Sequence, residues 1–109
     1  MALEYVKVIT KFLEGDTVWV LAFVRDEDKT YVDPTSIKVS IYDPDGEVEV
    51  DAEAMTQYGS ETGMYEYYYH KGESAEAMDT GVWRGIVTVI DGSGDDAKVT
   101  TAPFSFEVS

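Results

Sequence analysis

The chain has 109 residues, with 22 acids against 8 bases for a formal net charge of −14, 44% hydrophobic and 13% aromatic residues, and no cysteine. That apolar content excludes a disordered chain, and the length predicts one domain, residues 1–109, able to fold around its own core. Scattered bases on so acidic a chain argue against nucleic acid and anionic membrane surfaces as partners, and the lack of cysteine excludes disulfides, thiolate catalysis and thiolate-held metals.

The dominant hydrophobic period is two. An opening run from Glu4 to Leu13 ends at Gly15 and Asp16. The stretch DTVWVLAFVRD, Asp16 to Asp26, then alternates Val18, Val20, Ala22 and Val24 on one face with Trp19, Leu21 and Phe23 on the other. A polar connector, DEDKTYVDP, leads to SIKVSIYD, where Ile37, Val39 and Ile41 oppose Lys38, Ser40 and Tyr42. DPDG at Asp43 to Gly46 is a turn signal, because proline presets its own φ and glycine accepts a positive one. EVEVD follows as a short partner strand, and Ala52 to Thr62 reads as a loop with a brief strand. GMYEYYYH restores the alternation through Tyr65, Tyr67 and Tyr69, and ESAEAMD can form one helical turn capped by Ser74. VWRGIVTVID, a turn at DGSGDD and the final strand TTAPFSFEVS complete the chain, with Ala102, Phe104, Phe106 and Val108 sharing a face. MALEYVKVIT lacks the basic start and apolar run of a signal peptide, and no stretch is apolar enough for a membrane span.

About seven strands spaced by turn signals, with no long amphipathic helix, predict an all-β antiparallel sandwich of two sheets. The expected inward set is Val18, Val20, Ala22, Val24, Ile37, Val39, Ile41, Tyr65, Tyr67, Tyr69, Trp83, Val87, Val89, Phe104 and Phe106. The acid surplus reads first as a solubility device and second as adaptation to a salty medium.

Catalytic and metal signatures are weak. Asp43, Asp45 and Glu47, or Asp91, Asp95 and Asp96, can gather oxygens for calcium, but hairpin turns are rich in Asp and Gly for conformational reasons. DGSGDD begins like an EF-hand loop yet has Asp96 where that loop needs glycine and Ala102 where it needs glutamate. His70, the one histidine, with Met55, Met64 and Met78 is too dispersed for a soft-metal site, and a methionine on a strand is more often packing. No nucleophile elbow or glycine-rich phosphate loop is present, so the expectation is a protein that is not an enzyme and carries no cofactor.

The segment DTGVWRG, Asp79 to Gly85, resembles the Asp-x-Gly-x-aromatic opening of strand F in immunoglobulin-like domains. On that likeness Trp83 holds the tyrosine-corner position, and Gly85 stands where antibody domains have a cysteine. With GDTV, DPDG, GMYEY and GVW in this order, the chain is similar to cysteine-free immunoglobulin-like modules of tailed-phage structural proteins and of bacterial and archaeal surface proteins. The resemblance implies an immunoglobulin-like antiparallel β-sandwich in which strands B and E are neighbours. It says little about function, because this sandwich hosts unrelated roles.

Adjacent strands B and E would set Trp19, Leu21 and Phe23 beside Met64, Glu66, Tyr68 and His70, giving an apolar strip on the outside of one sheet. Three occupants compete for it: the chain itself, through Leu3, Tyr5, Phe12, Leu13 or Ala52 to Tyr58; a protein partner or a second copy; and a sugar stacked on the rings. The leading expectation is an interface at Trp19, Leu21, Phe23, Met64 and Tyr68, on a structural module that forms homo-oligomers or docks onto a virion or cell surface. The alternative is a ligand-binding module for carbohydrate or calcium. On the other sheet Val82, Ile86 and Ile90 point outward, where a loop or a neighbouring side chain is expected to cover them.

Overall fold

Alternating β-branched residues suit a pleated surface with one face dry, and the described residues form eight strands. The computed structural model describes residues 3–13, 17–26, 28–69, 80–92 and 94–108. The strands are β1 (Leu3–Leu13), β2 (Thr17–Asp26), β3 (Ser36–Tyr42), β4 (Val48–Ala54), β5 (Thr56–Gln57), β6 (Met64–Tyr69), β7 (Gly81–Asp91) and β8 (Lys98–Val108), with a 3-10 turn at Gly94–Asp96. The proposed helical turn at ESAEAMD, Ser74, His70, Met78 and Asp79 lie outside the described residues.

Two antiparallel four-stranded sheets form a sandwich, in the orders β1-β2-β6-β5 and β4-β3-β7-β8. In immunoglobulin letters these are A-B-E-D and C′-C-F-G. Strands B and E therefore pair, as β2 and β6, with Trp19 opposite Tyr68, Leu21 opposite Glu66 and Phe23 opposite Met64. The one extra strand over the expected seven is the two-residue β5.

All fifteen residues of the expected inward set belong to the core or pack against it. Trp83 is fully buried, between Tyr69 at 5.9 Å and Phe106 at 5.8 Å between ring centroids. These rings come from β6, β7 and β8, so they tie one sheet to the other. Gly85 lies in register with Phe104, whose ring lies where a Cβ on Gly85 would project. The phenyl group thus uses space that a cysteine side chain would need.

Val50 and Met55 also join the core, although alternation alone does not assign them. β4 pairs with β3 through two register shifts, and Ala52 within it has φ +48°. The bulges change which residues face inward, so a strict period of two fails there.

The sheet edges are guarded. Pro103 interrupts the donors of edge strand β8. β4 carries Glu49, Asp51 and Glu53, β5 has two residues, and β1 presents exposed Lys7 and Lys11. Outside β4, Glu66 and Glu107 are acids on an outer sheet face. Most of the acids among the described residues lie on turns and on the β4 edge.

Candidate functional site

The outer face of the β1-β2-β6-β5 sheet carries the strip. Across it, Lys11 pairs with Trp19, Ile9 with Leu21 and Lys7 with Phe23 on the β1 side. Tyr68, Glu66 and Met64 are the corresponding neighbours on β6. The structure thus brings together all five residues of the expected interface, but exposes them unequally. Tyr68 is 52% exposed, Trp19, Phe23 and Met64 are half-buried, and Leu21 is 6% exposed. Leu21 is a floor rather than a contact group, hemmed in by Trp19 and Phe23 along its strand and by Ile9 and Glu66 across it.

Two loop tyrosines frame the strip. Tyr58 packs against Trp19, with ring centroids 6.0 Å apart and planes tilted by 43°. Tyr31 packs against Phe23 at 6.4 Å. It is held there by Arg25, whose guanidinium donates to the Tyr31 hydroxyl at 2.6 Å and lies 4.6 Å from the ring centroid. The chain therefore covers part of its own strip, through Tyr58 from the foreseen segment and Tyr31 from the connector. The side chains of Leu3, Tyr5, Phe12 and Leu13 lie outside what is described.

At the centre, Glu66 lies beside two rings. Trp19 Nε1 donates to Glu66 Oε1 at 3.0 Å. The Glu66 carboxylate, on the same strand face as Tyr68, raises the tyrosine's pKa chiefly as a hydrogen-bond acceptor, with smaller contributions from burial and neighbouring charge. The Trp19 and Tyr68 ring planes lie within 10° of parallel, with centroids 6.1 Å apart. Diagonal cross-strand neighbours reach one another when side chains are long, so Glu66, one step from Tyr68's pairing with Trp19, can serve both rings.

A second network anchors the loop beside the strip. Asp33 Oδ1 accepts from the Gly63 amide at 2.8 Å and the Tyr65 hydroxyl at 3.0 Å. Burial first, then the bond to Asp33 and its charge, push the Tyr65 pKa up to about 12. A proton held more tightly in the folded chain stabilises the fold below the ordinary value of 10.0, and that contribution is lost as pH rises through about 12. Wild-type protein is therefore expected to lose stability over this alkaline interval, and Tyr65→Phe to lose less, in urea melts at stepped pH. Equal losses would show that Tyr65 does not carry the linkage.

The acidic turn behaves as a conformational device. The buried Asp43 accepts through Oδ1 from the Asp45 amide at 2.9 Å and the Glu47 amide at 2.8 Å. Asp26 does the same for Asp28 and Thr30. Carboxylate oxygens of Asp43, Glu47 and Glu49, rather than of Asp45, come within 4.8 Å of one another. The turn hydrogen bonds account for Asp43's position. Met55 is core and serves packing, while half-buried Met64 stands opposite Phe23 at the strip's edge.

Val82 and Ile86 on β7 are 45% and 38% exposed, contrary to the cover expected for them, while Ile90 is half-buried. Small Ser40 and Pro103 flank Ile86 across the sheet, and neither shields it. Val82, Ile86 and Pro103 floor an open depression of about 970 Å³, walled at one end by Tyr42 and the Asp43–Gly46 turn and containing Arg84.

No protein-family model and no curated protein matches the chain. Among solved structures it is similar to a DUF4785 family protein from Legionella pneumophila, with a TM-score of 0.62 and 15% identity over 94% of this chain. The chain spans about a quarter of that structure, 27% of its length. This likeness supports the sandwich and nothing finer. No helix among the described residues is long and apolar enough to cross a membrane.

Proposed function

We propose that the chain is a non-enzymatic contact module, which self-associates or docks onto a larger assembly such as a phage virion or a cell-surface layer. The outer face of the β1-β2-β6-β5 sheet makes the contact. The observation that carries this reading is the aromatic strip running from Tyr58 through Trp19 and Tyr68 to Phe23 and Tyr31, left on the outside of a sandwich that already has a complete core. Tryptophan and tyrosine are the side chains that concentrate at interface centres. Guarded edges leave the broad faces as the surfaces for contact.

Sedimentation equilibrium at micromolar concentration, comparing wild type with Trp19→Ser/Phe23→Ser, tests the self-association arm. The wild type is expected to associate and the double variant to remain a folded monomer. Association unchanged in the variant would remove this face from the contact, and a monomeric wild type would leave docking onto a different molecule. The ligand-binding alternative has support for its carbohydrate branch from the parallel rings. Its calcium branch has none beyond an acidic turn that its own hydrogen bonds explain.

A further inference from the structure

We propose that the outer face holds a neutral saccharide chain, with the sugar rings lying on Trp19 and Tyr68 and their hydroxyls bound by Glu66 and Lys11. The inference rests on the docking reading above and names the occupant.

Three observations single out this ligand. The first is ring geometry: Trp19 and Tyr68, opposite one another on paired strands, are stacked to within 10° of parallel, and the Trp19 indole N–H is tied to Glu66. A pyranose presents a flat face of C–H groups, which are weakly polarised donors toward an aromatic face. Two rings already stacked in one orientation before the ligand arrives lower the ordering cost of such contacts. The second is the polar frame. Glu66 supplies a carboxylate on one side of Trp19, and exposed Lys11 is its pairing partner on the other. An acceptor and a donor flanking stacked rings match the hydroxyls around the edge of a sugar. The third is size. An ordinary protein interface buries about 800 Å² on each partner. Here Leu21 is already buried and Phe23 packs against Tyr31, so the exposed aromatic surface narrows to Tyr68, Tyr58 and part of the half-buried Trp19. Tyr58, 39% exposed and tilted against Trp19, stands as a side wall to that platform. Neutrality follows from the net charge of −14, which repels uronate, sialate or sulfated chains.

The test is calorimetric titration with cellohexaose, chitohexaose, maltohexaose and mannohexaose, on wild type and on Trp19→Ala, Tyr68→Ala, Glu66→Gln and Ile86→Ala, each checked for folding by circular dichroism. At least one hexaose is expected to bind. Trp19→Ala and Tyr68→Ala should each weaken it by about tenfold or more, Glu66→Gln by less, and Ile86→Ala on the opposite sheet not at all. No binding by any hexaose, or binding indifferent to Trp19 and Tyr68, overturns the inference. If no hexaose binds but self-association in the sedimentation experiment depends on Trp19, the occupant is protein, and the docking reading stands without the saccharide. If the Trp19 variants change neither measurement, both fall.

Discussion

Replacing Trp83 by alanine is expected to remove about 3–5 kcal/mol of stability, the cost of emptying a large aromatic site that cannot collapse. Domains of this kind hold only about 5–15 kcal/mol in total, so the variant should be close to unfolding at room temperature. The severity comes from position. Trp83 has no exposed surface and touches rings from β6 and β8, so its loss loosens the contact between sheets as well as the packing within one. In a protein without cysteine nothing covalent compensates. A urea melt reads the effect directly. With a slope of about 1–3 kcal/mol/M, the midpoint should fall by more than about 1 M, and Trp83→Phe, which keeps a ring, should fall less. An alanine variant that melts with the wild type would place the sheet-to-sheet junction elsewhere.

Gly63→Ala is expected to be nearly as damaging, for a backbone reason. Gly63 has φ +76°, in the left-handed region that costs other residues about 1–2 kcal/mol. A Cβ there would also come within 2.7 Å of the Val24 carbonyl oxygen and 3.1 Å of the Val32 amide nitrogen. Those atoms cannot easily move, because the Val32 amide donates to the Val24 carbonyl and the Val24 amide to Gly63's own carbonyl. Overpacking against fixed backbone adds about 1–3 kcal/mol. The same substitution disturbs the turn that delivers Met64 and β6 to the strip, so loss of surface binding should accompany the lower thermal midpoint. An unchanged midpoint would contradict the tight approach of the β5–β6 turn to β2. By contrast, Gly59→Ala meets an equally positive φ of +58° but open space, and should cost only the backbone term.

The sequence carried most of the architecture because β-branched and aromatic residues alternate cleanly wherever a strand has one dry face. Val18 to Val24, Ile37 to Ile41 and Trp83 to Val89 are such runs, and each packs as its period predicts. Legibility failed where the chain departs from an even period. The bulges of β4 and the positive φ of Ala52 bring Val50 and Met55 inward together, an odd number of residues apart, so no alternation links them. The strip itself was visible as a surplus of apolar residues on the second face of β2. Its finish was not. Tyr31 and Tyr58 reach it from loops whose paths depend on tertiary closure, and the burial of Leu21 follows from neighbours on two other strands. The Glu66 bridge had a signal, since a carboxylate diagonal to a tryptophan on a paired strand lies within its reach, but using that signal required the register first.

The central claim is that Trp19 lies at the surface through which this sandwich makes its contacts, and the two tryptophans of the chain allow a direct reading. In a ¹H–¹⁵N spectrum each indole N–H gives one signal. Titration with the hexaoses, and separately with increasing protein concentration, should shift the Trp19 indole signal and the amides of β2 and β6. The buried Trp83 signal and the amides around Val82 and Ile86 should stay in place. Movement confined to β7 and β8, or a Trp19 signal that stays fixed under both titrations, would contradict the account.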